Sequence, residues 1–245
     1  TEDATHHALH QSSLPSSVAW IGCDRCGHLF TDGYFDKDAL RALLSKASTA
    51  PLSALEVEER RAHSAKIVDR VSQIRGSIEG RWLDVGTGRG SLMTTAAEFG
   101  YDAVGVDLLA ARTEPLVEMG YDARSIAFED FEDATGFDVI SLDGTLAHMP
   151  FPRRALAHAL KMMRPGGVIF ISTPNVDTHA WKRMDAEAQN PYWSDLEHCH
   201  NFSRGHLYWL LGQMGFQPCH YMASSETPAG MEVCAWRSED LDAQS

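Results

Sequence analysis

The chain has no apolar run approaching the ~20 residues that a membrane-spanning helix requires. Its first residues, Thr1-Glu2-Asp3-Ala4-Thr5, lack the charged-then-apolar layout of a secretion signal, and no initiating Met precedes them, as in a trimmed chain. There is no long Lys/Arg run either: 21 basic residues stand against 34 acidic ones, a formal charge of −13. That balance argues against a protein whose affinity comes from neutralising nucleic-acid phosphates, while leaving room for a local basic site. Five cysteines are too few for a disulfide scaffold, and an odd number leaves one unpaired. These absences together give the expectation of a soluble, cytoplasmic protein that engages neither membrane nor nucleic acid. Internal repeats and low-complexity blocks are also missing.

What is present is ordinary globular composition, 44% apolar and 22% charged, in a 245-residue chain long enough for a substantial core. That length suits one large domain or one domain with a small appendage. The departure from the ordinary is 12 histidines, and they cluster. His6, His7 and His10 lie at the start, and His198, His200, His206 and His220 lie near the end. Histidine is both a metal ligand and a general base near neutral pH. The alternatives are an expression-tag remnant for the first cluster and surface residues for the second.

Three segments emerge along the chain. Residues 1–35 are short of helical periodicity and contain Cys23-Asp24-Arg25-Cys26-Gly27. Residues 36–79 read as a helical lid, broken around 47–55, in which Ile67, Val68, Val71 and Ile74 form an apolar stripe ending near Gly76. Residues 80–240 alternate strands with helices. Trp82–Val85, Ala103–Val106, a weaker stretch at 122–127, Phe137–Leu142 and Val168–Ser172 are strands, with helices over Ser91–Phe99, near 109–119, around Leu156, Leu160 and Met163, and over His206–Met214. Such alternation predicts parallel crossovers and a doubly wound α/β sheet. Phe216–Met222 and Met231–Trp236 have no helix between them and must form a hairpin, so the last strand runs antiparallel. Residues 176–202 read as a long insertion without apolar periodicity, which is more often functional than idle.

The first of these strands runs into Asp84-Val85-Gly86-Thr87-Gly88-Arg89-Gly90-Ser91. Glycines at 86, 88 and 90 omit Cβ atoms where backbone must approach a ligand or take positive φ. Open α/β sheets bind ligands at the carboxyl ends of their strands, where this loop falls. Asp107 ends the second strand, placed to accept ribose hydroxyls. A glycine loop also serves dinucleotide-binding oxidoreductases, but here the spacing is G-x-G-x-G. Asp84 would repel a pyrophosphate and suits a cationic ligand.

Taken with Val106-Asp107, Phe137-Asp138-Val139-Ile140 and Met163-Arg164-Pro165-Gly166-Gly167-Val168-Ile169-Phe170-Ile171-Ser172-Thr173-Pro174-Asn175, the loop resembles the class I S-adenosylmethionine-dependent methyltransferases over about residues 80–240. The resemblance implies a Rossmann-like, seven-stranded sheet with an antiparallel last strand and S-adenosylmethionine as methyl donor. Asp84, Gly86, Thr87, Gly88 and Gly90 would line the methionine end of the donor. Asp107 and Leu108 would border its ribose, Phe128, Glu129 and Asp130 would lie toward its adenine, and Asp143, at the end of the fourth strand, would also contact the donor. Glu129 and Asp130 read equally as a solvated acidic face.

Glu197-His198-Cys199-His200-Asn201-Phe202-Ser203 and Leu146-Ala147-His148-Met149 resemble substrate-side stretches of methyltransferases from bacterial small-molecule, sugar and quinone pathways, with Ala147 where those carry an acid. Transfer to oxygen or nitrogen needs in-line positioning and often a base, for which His148, His198 and His200 are the candidates. Trp181, Tyr192 and Trp193 read as a pocket wall or as packing. The expected function is methylation of a small-molecule acceptor, with oxygen preferred over nitrogen or carbon. The alternatives are a nucleotide-dependent oxidoreductase and a non-catalytic binding module. His7, His10, Cys23 and Cys26 make two pairs of the spacing used by tetrahedral structural zinc sites. The resembling group often carries an N-terminal zinc ribbon, in which histidines would here replace the first cysteine pair.

Overall fold

The structure, a computed structural model, describes residues 2–3, 16–45 and 52–238. In chain order these form β1 (Glu2–Asp3), β2 (Ser17–Val18), β3 (Trp20–Gly22), β4 (Leu29–Thr31), α1 (Lys37–Leu44) and α2 (Ala54–Arg75). Then come β5 (Arg81–Val85), α3 (Ser91–Phe99), β6 (Asp102–Asp107), α4 (Ala110–Glu118), β7 (Asp122–Ser125), β8 (Phe137–Asp143) and α5 (Pro152–Met162). The chain continues through β9 (Met163–Pro174), α6 (His179–Ala186), β10 (His200–Asn201), α7 (Arg204–Gln213), β11 (Phe216–Ala223) and β12 (Gly230–Arg237). Among the described residues no helix is long and apolar enough to cross a membrane, and all five cysteines are free.

The main sheet has seven strands in the order β11-β12-β9-β8-β5-β6-β7. β5 through β9 are parallel, and β12 pairs antiparallel with both β9 and β11. Buried on both faces, its central strands are apolar at successive positions. Side chains alternate between faces. Trp82, Val139, Val168 and Phe170 join Ile67, Val68 and Val71 of α2 and Leu92, Met93 and Ala96 of α3 on one face. Leu83, Val85, Ile140, Ile169 and Ile171 join Leu156 of α5 and Leu207 and Leu210 of α7 on the other. The stripe read in the sequence is therefore the seat of α2 on the sheet. A capping box starts that helix, with Ser53 and Glu56 satisfying each other's backbone N–H groups, and Gly76 at φ 69° closes it.

Two sequence expectations change in detail. Met163 begins β9, opposite Phe137, instead of ending the preceding helix. Residues 176–202 are more ordered than their lack of periodicity suggests. They hold α6, capped by the Thr178 side chain, a single 3₁₀ turn at Pro191–Trp193, and β10. Their aromatics pack between elements: Trp181 stacks on Tyr192 at 5.2 Å and Trp193 meets Trp20 edge-on at 5.5 Å. A pattern search along one element cannot register such pairs.

The N-terminal stretch forms a hairpin of β3 and β4, and β10 adds to β4 as a third antiparallel strand. Trp20 Nε1 donates to the Trp193 carbonyl at 2.8 Å, and Thr31 N donates to that of Cys199 at 3.0 Å. The ribbon is thereby sewn to the insertion.

Candidate active site

At the carboxyl end of β5 the chain turns through Gly86, Gly88 and Gly90 at φ 72°, 57° and 83°. Gly86 N and Thr87 N both donate to the Val106 carbonyl, at 2.8 and 3.0 Å, folding the loop over the end of β6. Side chains are excluded at two of these glycines by space as well as by φ. A Cβ on Gly86 would lie 2.4 Å from Thr145 Oγ1, and one on Gly90 would lie 2.4 Å from Leu116 Cδ2.

Three carboxylates surround the loop. Asp84 is only 2% exposed and accepts from Thr87 Oγ1 at 2.8 Å and Ser141 Oγ at 2.6 Å. Ser141 in turn accepts from the buried Trp82 indole at 2.8 Å, so the core fixes the acid. Burial pushes the Asp84 carboxyl up to about 7, its two hydrogen bonds oppose the shift, and Asp143 and Asp107 add to it. Asp107 accepts from Gly88 N at 3.0 Å and Leu109 N at 2.9 Å, and pairs with Arg112 at 3.3 Å. Asp143 is held by the Ser172 hydroxyl, and burial raises its pKa too. A cavity of about 290 Å³ runs between Asp84, the loop and Asp143, lined also by Arg60 and His63 of α2, Arg89 and Glu226. Nothing in the loop motif announces Arg60 and His63; their i, i+3 spacing on the helix before β5 was the available signal.

Leu108 follows Asp107 directly beyond the carboxyl end of β6. Phe128, Glu129 and Asp130 form a single 3₁₀ turn after β7. Phe128 is buried, while Glu129 and Asp130 face solvent, Asp130 bridging to Lys37 of α1 at 2.6 Å.

The three candidate histidines separate into two groups. His148 lies on a 3₁₀ turn just after β8, three residues beyond Thr145, whose hydroxyl donates to Val85 O at 2.9 Å beside the glycine loop. Its ring meets that of His198 with centroids 4.4 Å apart. Burial drives the His148 pKa down to about 3, and His198 and, more weakly, Arg112 lower it further against a raising influence from Asp195. His198 Nδ1 is 2.5 Å from Asp195 Oδ2, and His148 Nδ1 is 3.7 Å from Glu197 Oε2. Both ring nitrogens of His200, by contrast, are engaged in the ribbon interface. Its Nε2 lies 3.2 Å from the Pro150 carbonyl and its Nδ1 lies 2.9 Å from His28 Nε2. Asp195, Glu197 and His28 are not singled out by sequence, since their partners are defined only by how the insertion folds.

His7 and His10 lie outside the described residues. Cys23 and Cys26 form a tight turn in which Gly27 N donates to Cys23 O at 2.7 Å. Among the described residues no group of three or more His, Cys, Asp or Glu side chains is arranged to hold a metal. The described donors thus do not complete the zinc site that the sequence suggests.

A family profile described as a methyltransferase domain matches residues 57–221. The chain is 38% identical over 108 residues to a ubiquinone biosynthesis O-methyltransferase from Idiomarina loihiensis, a match covering 40% of this chain and 44% of that protein. It is 32% identical over 107 residues to the same-named protein of Cronobacter sakazakii, again covering 40% and 44%. The matched stretch spans less than half the length of these curated relatives. In fold the chain is similar to magnesium protoporphyrin IX methyltransferase from Synechocystis PCC 6803, solved with bound S-adenosylhomocysteine. The TM-score is 0.64 at 15% identity, covering 83% of this chain and 100% of that one. An N-methyltransferase from Bradyrhizobium japonicum gives a TM-score of 0.60 at 15% identity, covering 82% and 99%. With its glycine loop, its sheet order and a profile match over most of its length, the chain belongs to the class I S-adenosylmethionine-dependent methyltransferases.

Proposed function

We propose that this chain transfers a methyl group from S-adenosylmethionine to a hydroxyl oxygen of a small-molecule acceptor. The carrying observation is the charge of the cradle. Asp84, Asp143 and Glu226 line the cavity beside the glycine loop together with Arg60 and Arg89, and Asp107 accepts from Gly88 N of that loop. Burial holds the Asp84 and Asp143 carboxyls toward their protonated forms, so a ligand with a sulfonium and an ammonium group, which stabilises the carboxylates, is favoured over a dinucleotide pyrophosphate, which does not. The residues present therefore fit the donor. Asp84 and the loop from Gly86 to Gly90 would hold its amino-acid end and Asp107 its ribose. Phe128 supplies an apolar surface at the adenine end. The solvent-facing Glu129 and Asp130 are retained as rim residues. When bound, the donor supplies an electrophilic methyl on a positively charged sulfur. The protein's part is to hold that methyl in line with the acceptor, exclude water and remove a proton.

The preference for oxygen rests on the relatives named as O-methyltransferases. In this reading residues 36–79 act as a lid, α2 bringing Arg60 and His63 over the amino-acid end, while the ribbon within 1–35 braces the acceptor side. A structural zinc would need His7 and His10 to join Cys23 and Cys26, and metal analysis of the purified protein decides it: a stoichiometric zinc supports the site.

The test is calorimetry on the purified chain with S-adenosylhomocysteine and, separately, NADH, followed by mass-spectrometric detection of S-adenosylhomocysteine released with hydroxylated acceptors. Binding of the thioether and product formation are expected. Binding of NADH alone would overturn the reading.

A further inference from the structure

Beside His148, on the turn that follows β8, the insertion delivers a hydrogen-bonded carboxylate–imidazole pair. Asp195 Oδ2 and His198 Nδ1 are 2.5 Å apart, and Asp195 is itself fixed by Glu197 N donating to its Oδ1 at 3.0 Å. The carboxylate thus occupies Nδ1–H and leaves Nε2 as the ring atom with a lone pair. His198 is 9% exposed, with the edge of Tyr192 on one side and His148 on the other. The register of the two histidines is set by backbone: Cys199 N donates to Ala147 O at 2.8 Å, joining the residue after His198 to the residue before His148.

We propose that Asp195 is a positioning residue that makes His198 the proton acceptor for the acceptor hydroxyl, with His148 lining the same site as a neutral hydrogen-bonding partner. The proposal rests on the reading that the chain methylates a hydroxyl. The charged and titratable groups around His198 are Asp195, His148, Tyr192 and Glu197, with Arg112 acting through His148. His148 is less suited to take the proton, because burial, then the neighbouring His198 and Arg112, keep its ring neutral far below physiological pH. A proton arriving at His198 instead forms an imidazolium facing a carboxylate, which stabilises it. The acceptor O–H bond breaks with its proton passing to His198 Nε2 as the new O–CH₃ bond forms. The S–CH₃ bond breaks with its electron pair remaining on sulfur, and the imidazolium later returns the proton to water. His200 has no share in this step, because both its nitrogens serve the ribbon.

The experiment uses 4-nitrocatechol, whose ionisation is visible as a change in absorbance, titrated into the full chain saturated with S-adenosylhomocysteine. Bound to the wild-type protein it should ionise at lower pH than in Asp195→Asn or His198→Gln, by about one pH unit, a tenfold change in proton affinity. Calorimetric affinity for S-adenosylhomocysteine should be the same in all three, which shows that the variants are folded. An equal ionisation midpoint in wild type and Asp195→Asn overturns the proposal, as does failure of 4-nitrocatechol to bind the loaded protein. Failure of S-adenosylhomocysteine to bind overturns the methyltransferase reading itself, and this proposal with it.

Discussion

Asp84 sits almost wholly out of water yet keeps two hydroxyl donors, and its raised pKa has a definite sign. Because the folded protein holds this proton up to about 7, above the ordinary carboxylate value, ionising Asp84 weakens the fold as pH rises from 3.8 through about 7. A cationic ligand reverses that preference. S-adenosylmethionine should bind more tightly as pH rises from 6 to 8, and Asp84→Asn should flatten the dependence, as measured by calorimetry at each pH. Asp107 belongs to the same loop, since one of its oxygens carries Gly88 N and the other Leu109 N. Asp107→Ala should therefore weaken S-adenosylhomocysteine binding by about 1.5–3 kcal/mol, the range for hydrogen bonds to a charged group. An unchanged dissociation constant would refute the ribose assignment. Gly90→Ala places a Cβ 2.4 Å from Leu116 and strains a φ of 83°. A loss of about 1–3 kcal/mol in urea unfolding is expected. These residues were legible in the sequence because a strand followed by spaced glycines and an acid is a local pattern. Asp195 was not, since an Asp three residues before a His becomes a pair only when the intervening turn is formed.

Among the elements, the N-terminal ribbon has the most distinctive attachment. His28 stacks on His206 with centroids 4.1 Å apart and shares a hydrogen bond with His200. Burial, reinforced by these two neighbours, lowers the His28 pKa to about 3, and burial lowers those of His200 and His206 as well. Neutral rings are therefore what this interface accepts. Its stability is fully present above about 6.5 and is lost as pH falls from there toward 3. Acidification should expose Trp20 and speed amide exchange at Leu29–Thr31 before the main sheet responds. Fluorescence and hydrogen exchange read this directly, and His28→Phe should remove most of the dependence. The histidine excess counted in the sequence thus finds part of its explanation as a docking surface, joining residues 28, 200 and 206 that are far apart in the chain. Helix α2 contrasts with this, because its capping box and terminal glycine are local. Ser53→Ala should cost about 0.5–2 kcal/mol in chemical denaturation.

For the whole molecule, a ligand that binds only the folded chain raises its stability by mass action. S-adenosylhomocysteine at one hundred times its dissociation constant should add about 2.7 kcal/mol, visible as an upward shift of the thermal midpoint, and NADH should give none. The parallel α/β alternation, the antiparallel β12 and the cradle at the carboxyl ends of β5 and β6 followed from local regularities in the sequence, and the seven strands from the resemblance to class I methyltransferases. Parallel crossovers have one hand, apolar runs must be buried, and a hairpin permits only one direction. Tertiary structure alone decided which histidines face one another. It set His200 against His28 and the Pro150 carbonyl, gave Asp195 to His198, brought Arg60 and His63 to the cavity, and folded the insertion around the stacked Trp181 and Tyr192. Those contacts depend on distances between residues remote in sequence or on turns without periodicity, and no repeat along the chain encodes such distances.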